Sequence, residues 1–131
     1  PLITIGSHAH THRSLGLMAP SDAREEAQRS RETLTRELGH EVRCFAYPFG
    51  TRADFNPVTE RALADAGYHA AFNSMHGSIR PGMDPISLPR VKIEGGEPLP
   101  MFALQSRGAL DAWRMVDQNL YRLQRVRQEI V

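Results

Sequence analysis

Val42-Arg43-Cys44-Phe45-Ala46-Tyr47-Pro48-Phe49-Gly50 reads as a strand with a hard stop. β-Branched and aromatic residues favour the extended chain from Val42 to Tyr47, and Pro48-Phe49-Gly50 ends the ladder. A helical pattern lies on either side. Upstream, a helix is expected from Pro20-Ser21, with Ser21 as its cap and Asp22, Glu25 and Glu26 at its positive end. Ala23, Ala27, Leu34 and Leu38 form its apolar stripe, and Gly39 ends it. Downstream, Asn56 caps a second helix that opens with Pro57, turns Ala62, Leu63 and Ala66 inward and stops at Gly67.

The pattern continues outward. Leu2-Ile3-Thr4-Ile5, closed by Gly6-Ser7, predicts a strand before the first helix, and Tyr68 to Phe72 predicts one after the second. Asn73 to Pro85 is rich in turn residues and reads as a loop. Leu88 to Ile93 predicts a fourth strand, and Pro98 to Ser106 a short helix. A C-terminal helix is expected over residues 108–131, with Leu110, Trp113, Val116, Leu120, Leu123 and Ile130 at helical spacing. Strands alternating with helices predict an α/β fold of parallel strands with covering helices. The elements are too few for a closed barrel, which normally takes about eight strands.

A chain of 131 residues with 40% hydrophobic content can bury one core, so a single domain over residues 1–131 is expected. The net charge of +1 argues against nucleic acid as the main partner. Arg107, Arg114, Arg122, Arg125 and Arg127 read as a solvated face, diluted by Asp111, Asp117 and Glu129. No apolar run approaches the ~18 residues of a membrane span. The single Cys44 excludes an intramolecular disulfide. The chain starts at Pro1, directly in an apolar run, and reads as one entered in mid-domain, with any targeting segment upstream.

Chemistry concentrates in His8-Ala9-His10-Thr11-His12, which holds three of the six histidines. Neutral imidazole is the commonest protein ligand for zinc and similar ions. His8 and His10 share a face on a strand, whereas His8 and His12 share a face on a helical turn. Either pair suits one divalent ion, and a solvated polar loop is the plainer alternative.

A His-x-x-x-His loop after one strand, followed about thirty-five residues later by a strand ending in Tyr47-Pro48-Phe49-Gly50, resembles the NodB homology domain of polysaccharide deacetylases (carbohydrate esterase family 4). Ile5-Gly6-Ser7-His8 and His12-Arg13-Ser14-Leu15 add to the likeness, which runs from Pro1 to about Ile93. It implies part of a distorted (β/α) barrel and a metal-dependent hydrolase that removes N-acetyl groups from an amino-sugar polymer. It further implies a divalent metal, zinc or a similar ion, on His8 and His12, with His10 a bystander. The Tyr47 backbone N–H is the implied oxyanion donor, and Tyr47, Pro48 and Phe49 form a wall of the substrate groove. A cell-envelope or extracytoplasmic location goes with the family.

Departures from the family pattern qualify the activity. Ala9 stands where the family commonly has Ser or Thr, with Thr11 a substitute hydroxyl. Ala46 stands where it often has an Arg, and Arg90 is the candidate stand-in, steadying the base. No C-terminal His motif follows Arg90, and His76 is expected in a loop. The family's Asp-Asp pair, base and metal ligand, is expected before Pro1, so the fragment alone is expected to be inactive. A non-catalytic remnant that binds a glycan or a partner is the second reading. An amidohydrolase or metallophosphoesterase using His8-x-His10 is the third. A half-barrel leaves an unpaired sheet edge, so either a missing N-terminal half or self-association through that edge is expected.

Overall fold

The computed structural model describes residues 2–93, 95–109 and 111. Beyond residue 111 the expected C-terminal helix lies outside the described residues. In chain order a 3-10 turn (Leu15–Leu17) precedes α1 (Pro20–Leu38), β1 (Cys44–Ala46), α2 (Pro57–Asp65), β2 (Ala70–His76), β3 (Leu88–Arg90) and α3 (Leu99–Ser106). The sheet order is β1-β2-β3, and β1 runs parallel to β2 with Phe45 opposite Ala71. This is the expected α/β arrangement of parallel strands and covering helices.

The residues group into two compact units. One comprises residues up to Ser74 together with Arg80–Leu88, and the other Met75–Ile79 with the chain from Pro89 onward. The core of the first unit is built on Leu15, Ala27, Val42, Phe45, Tyr47, Leu63 and Tyr68, all almost fully buried. Phe45 meets Tyr68 edge-on at 5.1 Å, and Tyr47 stacks on Phe55 at 4.9 Å. Large side chains buried this way contribute about 1.5–3 kcal/mol each. The second unit carries α3, whose Leu99, Met101, Phe102 and Leu104 are exposed. Among the described residues no helix is long and apolar enough to cross a membrane.

α2 follows its sequence signals. The Asn56 side chain accepts from the amides of Val58 (2.9 Å) and Thr59 (3.1 Å), and the Thr59 hydroxyl accepts from the Asn56 amide at 2.9 Å. That reciprocal pair is a capping box. α1 differs at its start: Ala19 is the cap residue and makes no side-chain bond, while Ser21 lies inside the helix and bonds Asp22. Its C-terminus ends at Gly39 with φ 71°, as expected.

Two strand expectations need correction. Leu2–Ile5 is not a strand. Pairing begins at Ser7, which forms a parallel bridge to Phe45 through Ser7 N to Cys44 O and Ala46 N to Ser7 O, both 2.8 Å. In that register residues 2–5 fall opposite residues 40–43, the exit turn of α1, where no ladder exists to receive them. Conversely, β2 continues through Asn73–His76, which the sequence reads as loop. Buried Asn73 donates its side-chain amide to Ser87 O at 3.2 Å, so a turn-forming residue is held in the sheet. β3 is also shorter than expected and stops at Arg90.

Candidate functional site

Ser7 and Ala46 stand side by side at the C-terminal ends of neighbouring parallel segments, so the loops that follow them emerge together. This is where open parallel sheets place their ligands. His8 Nδ1 lies 2.7 Å from the Ala46 carbonyl oxygen. A carbonyl can only accept, so Nδ1 carries the hydrogen and Nε2 of the neutral ring keeps its lone pair. That is the orienting bond a metal-ligating histidine typically makes through its second nitrogen.

The His12 ring meets His8 at 4.8 Å between centroids with a 69° interplanar angle, and meets Phe49 at 5.2 Å and 68°. Two imidazoles on one tetrahedral zinc, with Zn–N of about 2 Å, have their centres about 5 Å apart. The pair therefore fits a shared divalent ion. Among the described residues, however, no three His, Cys, Asp or Glu side chains stand close enough to hold one. His10 joins neither ring contact; its backbone amide is bonded elsewhere. The structure thus brings His8 together with His12, not with His10.

The loop achieves this with backbone that ordinary residues avoid. Ala9 (φ 64°) and His12 (φ 58°) both occupy the left-handed region, at about 1–2 kcal/mol each. The compensating contacts come from α1. Glu26 Oε2 accepts from the amides of His10 (2.9 Å) and Thr11 (2.8 Å), and Oε1 accepts from the Thr11 hydroxyl at 2.8 Å. Burial pushes the Glu26 carboxyl up, but the bonds from Thr11 and His10 outweigh it and hold the group below its ordinary value. One turn further along, Ser30 Oγ bonds Ser7 Oγ at 2.6 Å, and the Tyr68 hydroxyl beside them donates to Ala27 O. On the same flank an open cleft of about 350 Å³ is bounded by His8, His10, Ser30 and Thr33.

The Tyr-Pro-Phe-Gly corner differs from expectation. The Tyr47 amide donates to Phe72 O at 3.0 Å, so the sheet already uses the N–H expected at the oxyanion. The Tyr47 side chain is fully buried with its hydroxyl on Ile86 O at 2.9 Å, and Pro48 is buried too, so neither forms a groove wall. Phe49 is 61% exposed with φ 59°, and presents its ring beside His12. Ser74 at the extended end of β2 pins this corner: its hydroxyl donates to Phe49 O at 2.7 Å and its amide to Gly50 O at 2.9 Å.

Other expected residues are dispersed. Arg90 ends β3, exposed, its carbonyl accepting from Gly77 N. His76 is half-buried at the end of β2, not in a loop, while His40 and His69 are exposed. Asp84, within the turn-rich stretch before Pro85, accepts from the Ile86 amide at 2.9 Å. Glu26, Ser30 and Ser74 support the loops without belonging to either sequence motif. For Glu26 a signal existed: it lies three residues after Ala23 and four before Ser30, on the helix face that packs inward, where a carboxylate must find donors.

Parallel strands whose C-terminal loops carry a paired-imidazole turn and an exposed aromatic corner define the class, an α/β fold of parallel strands and covering helices with its candidate site at the strand ends. The profile of the polysaccharide deacetylase family matches residues 2–71, and the chain belongs to that family. A deacetylase of Streptococcus pyogenes, PplD, solved in complex with acetate, matches with TM-score 0.68 and 24% identity over 76% of this chain and 42% of its own. IcaB from Ammonifex degensii matches with TM-score 0.57 and 25% identity over 85% of this chain and 46% of its own. A de-N-acetylase from Aggregatibacter actinomycetemcomitans matches with TM-score 0.54 and 20% identity over 66% and 31%. The chain therefore spans less than half the length of each of these structures. No curated protein sequence matches significantly.

Proposed function

We propose that this chain supplies the histidine half of a metal-dependent deacetylase centre that hydrolyses N-acetyl groups on an amino-sugar polymer. The observation that carries the reading is the His8–His12 ring pair, with His8 Nδ1 committed to Ala46 O and Nε2 left as a donor. A divalent ion such as zinc, when bound, supplies Lewis acidity to the amide carbonyl and to water. His8 and His12 would hold it. The acetate bound by the Streptococcus pyogenes deacetylase is the acid that cleavage of an acetamide releases, which supports this substrate class.

The rest of the chain's contribution is positioning. The exposed Phe49 ring offers an apolar face for a sugar ring beside the histidines. The nearest later amide after Tyr47 is also that of Phe49, since Pro48 has none. Among the described residues the Phe49 amide donates to no other group, so it takes the oxyanion role in this reading. The base itself and a carboxylate ligand lie outside the described residues, and an extracytoplasmic location accords with a polymer substrate. In the whole domain, His12→Ala is expected to reduce N-acetyl hydrolysis at least about 100-fold; undiminished hydrolysis contradicts the assignment.

One observation favours a second reading for the chain on its own. With no third ligand among the described residues, the 131-residue chain by itself would bind glycan without deacetylating it. Acetate release by the isolated chain contradicts that reading.

A further inference from the structure

We propose that Glu26 is a positioning residue that sets the geometry of the His8–His12 pair from the buried face of α1; this rests on the pair being the metal-holding element. His10 and Thr11, whose amides Glu26 receives, are two of the three residues between the two histidines. The third bond, from the Thr11 hydroxyl to Oε1, brings both carboxylate oxygens onto the segment. Glu26 is only 8% exposed and lies between Ala23, Ala27 and Ser30, themselves buried, so the anchor cannot move without the helix.

The residue type matters. All three partners are donors, and an ionised carboxylate offers only acceptors, with charge-assisted bonds roughly twice as strong as neutral ones. Among the described residues no Lys or Arg pairs with Glu26, so its negative charge is spent on these amides rather than on a salt bridge. Glutamine has the same shape but turns an NH₂ toward donors on one side. Ser30, bonded to Ser7, holds the entry of the same loop, so Glu26 and Ser30 grip the segment before and after His8.

The test is a zinc titration of the full 131-residue chain, with Zn²⁺ alone as probe and the histidine ring NMR signals as readout. Glu26→Gln is expected to weaken zinc binding about tenfold or more, in the range seen when outer-shell partners are lost. Glu26→Asp, which keeps the charge, is expected to fall between Glu26→Gln and the parent. Thr59→Ala, which breaks the α2 cap far from the loop in sequence, is expected to lower the melting temperature yet leave zinc affinity unchanged. Parent-like zinc affinity in Glu26→Gln overturns the proposal while leaving the histidine pair intact. A parent chain whose His8 and His12 signals ignore zinc overturns the pair itself, and the role of Glu26 with it. If Glu26→Gln does not fold, Thr11→Ala replaces it: this variant removes one of the three bonds, several-fold weaker binding supports the proposal, and unchanged binding overturns it.

Discussion

Glu26 holds the histidine loop against its own backbone preferences, and Gly16 seats the turn that follows the loop against the backbone of Ala53 to Phe55. A Cβ on Gly16 would collide with the Ala53 carbonyl oxygen, where the Gly16 amide also bonds Asp54 O at 2.8 Å. Backbone cannot yield as a side-chain tip can, so Gly16→Ala is expected to destabilise the chain by at least about 1–3 kcal/mol, read from a urea midpoint. Glu26 predicts a pH dependence. Its folded-state carboxyl titrates below its ordinary value, so its contribution is fully present above that ordinary value and is lost as pH falls through the folded one. Acid unfolding followed by circular dichroism should therefore lose part of its steepness in Glu26→Gln; an unchanged acid limb contradicts the account. At this scale the histidine cluster was legible after an apolar run, but its spacing admitted both His8–His10 and His8–His12, and only the family resemblance favoured the second pair. The part played by Glu26 was not legible, because an acidic residue early in a helix also satisfies the helix dipole, and only the loop's arrival from elsewhere in the chain distinguishes the two.

The helices differ in how fully they are capped. α2 has a complete box on Asn56 and Thr59, and Asn56→Ala is expected to cost about 1 kcal/mol. α1 begins at Ala19 with no side-chain bond to its first amides. Ala19→Asp is expected to add about 0.5–2 kcal/mol, seen as a raised melting temperature; an unchanged or lowered value contradicts the assignment of Ala19 as the cap. Element by element, α2 and the end of α1 could be read directly, since Asn-Pro, Gly39 and Gly67 act through local backbone chemistry. Leu2–Ile5 could not, because whether an apolar run becomes a strand depends on what lies opposite, and the bridge at Ser7 sets residues 2–5 beyond the start of β1. The extension of β2 was hidden for the converse reason: Asn73 and Ser74 look like loop residues, and only their bonds to Ser87 O, Phe49 O and Gly50 O reveal them as strand.

For the chain as a whole, Leu2, Ile3 and Ile5 form an exposed apolar run before the bridge at Ser7, and exposed apolar segments without a partner recruit another chain. Light scattering of the 131-residue chain should show association rising with concentration and reduced by Ile3→Lys; a monomer at every concentration contradicts this. Family membership is established over residues 2–71, while the chemistry depends on which imidazoles share an ion. The most direct measurement is zinc titration with ¹⁵N detection of the histidine rings in the parent chain and in His8→Ala, His10→Ala and His12→Ala. The unprotonated Nε2 of His8 and a ring nitrogen of His12 are expected to shift together, His10→Ala to bind as the parent does, and either other variant to lose the response. A response shared by His8 and His10 with His12 unmoved would contradict it.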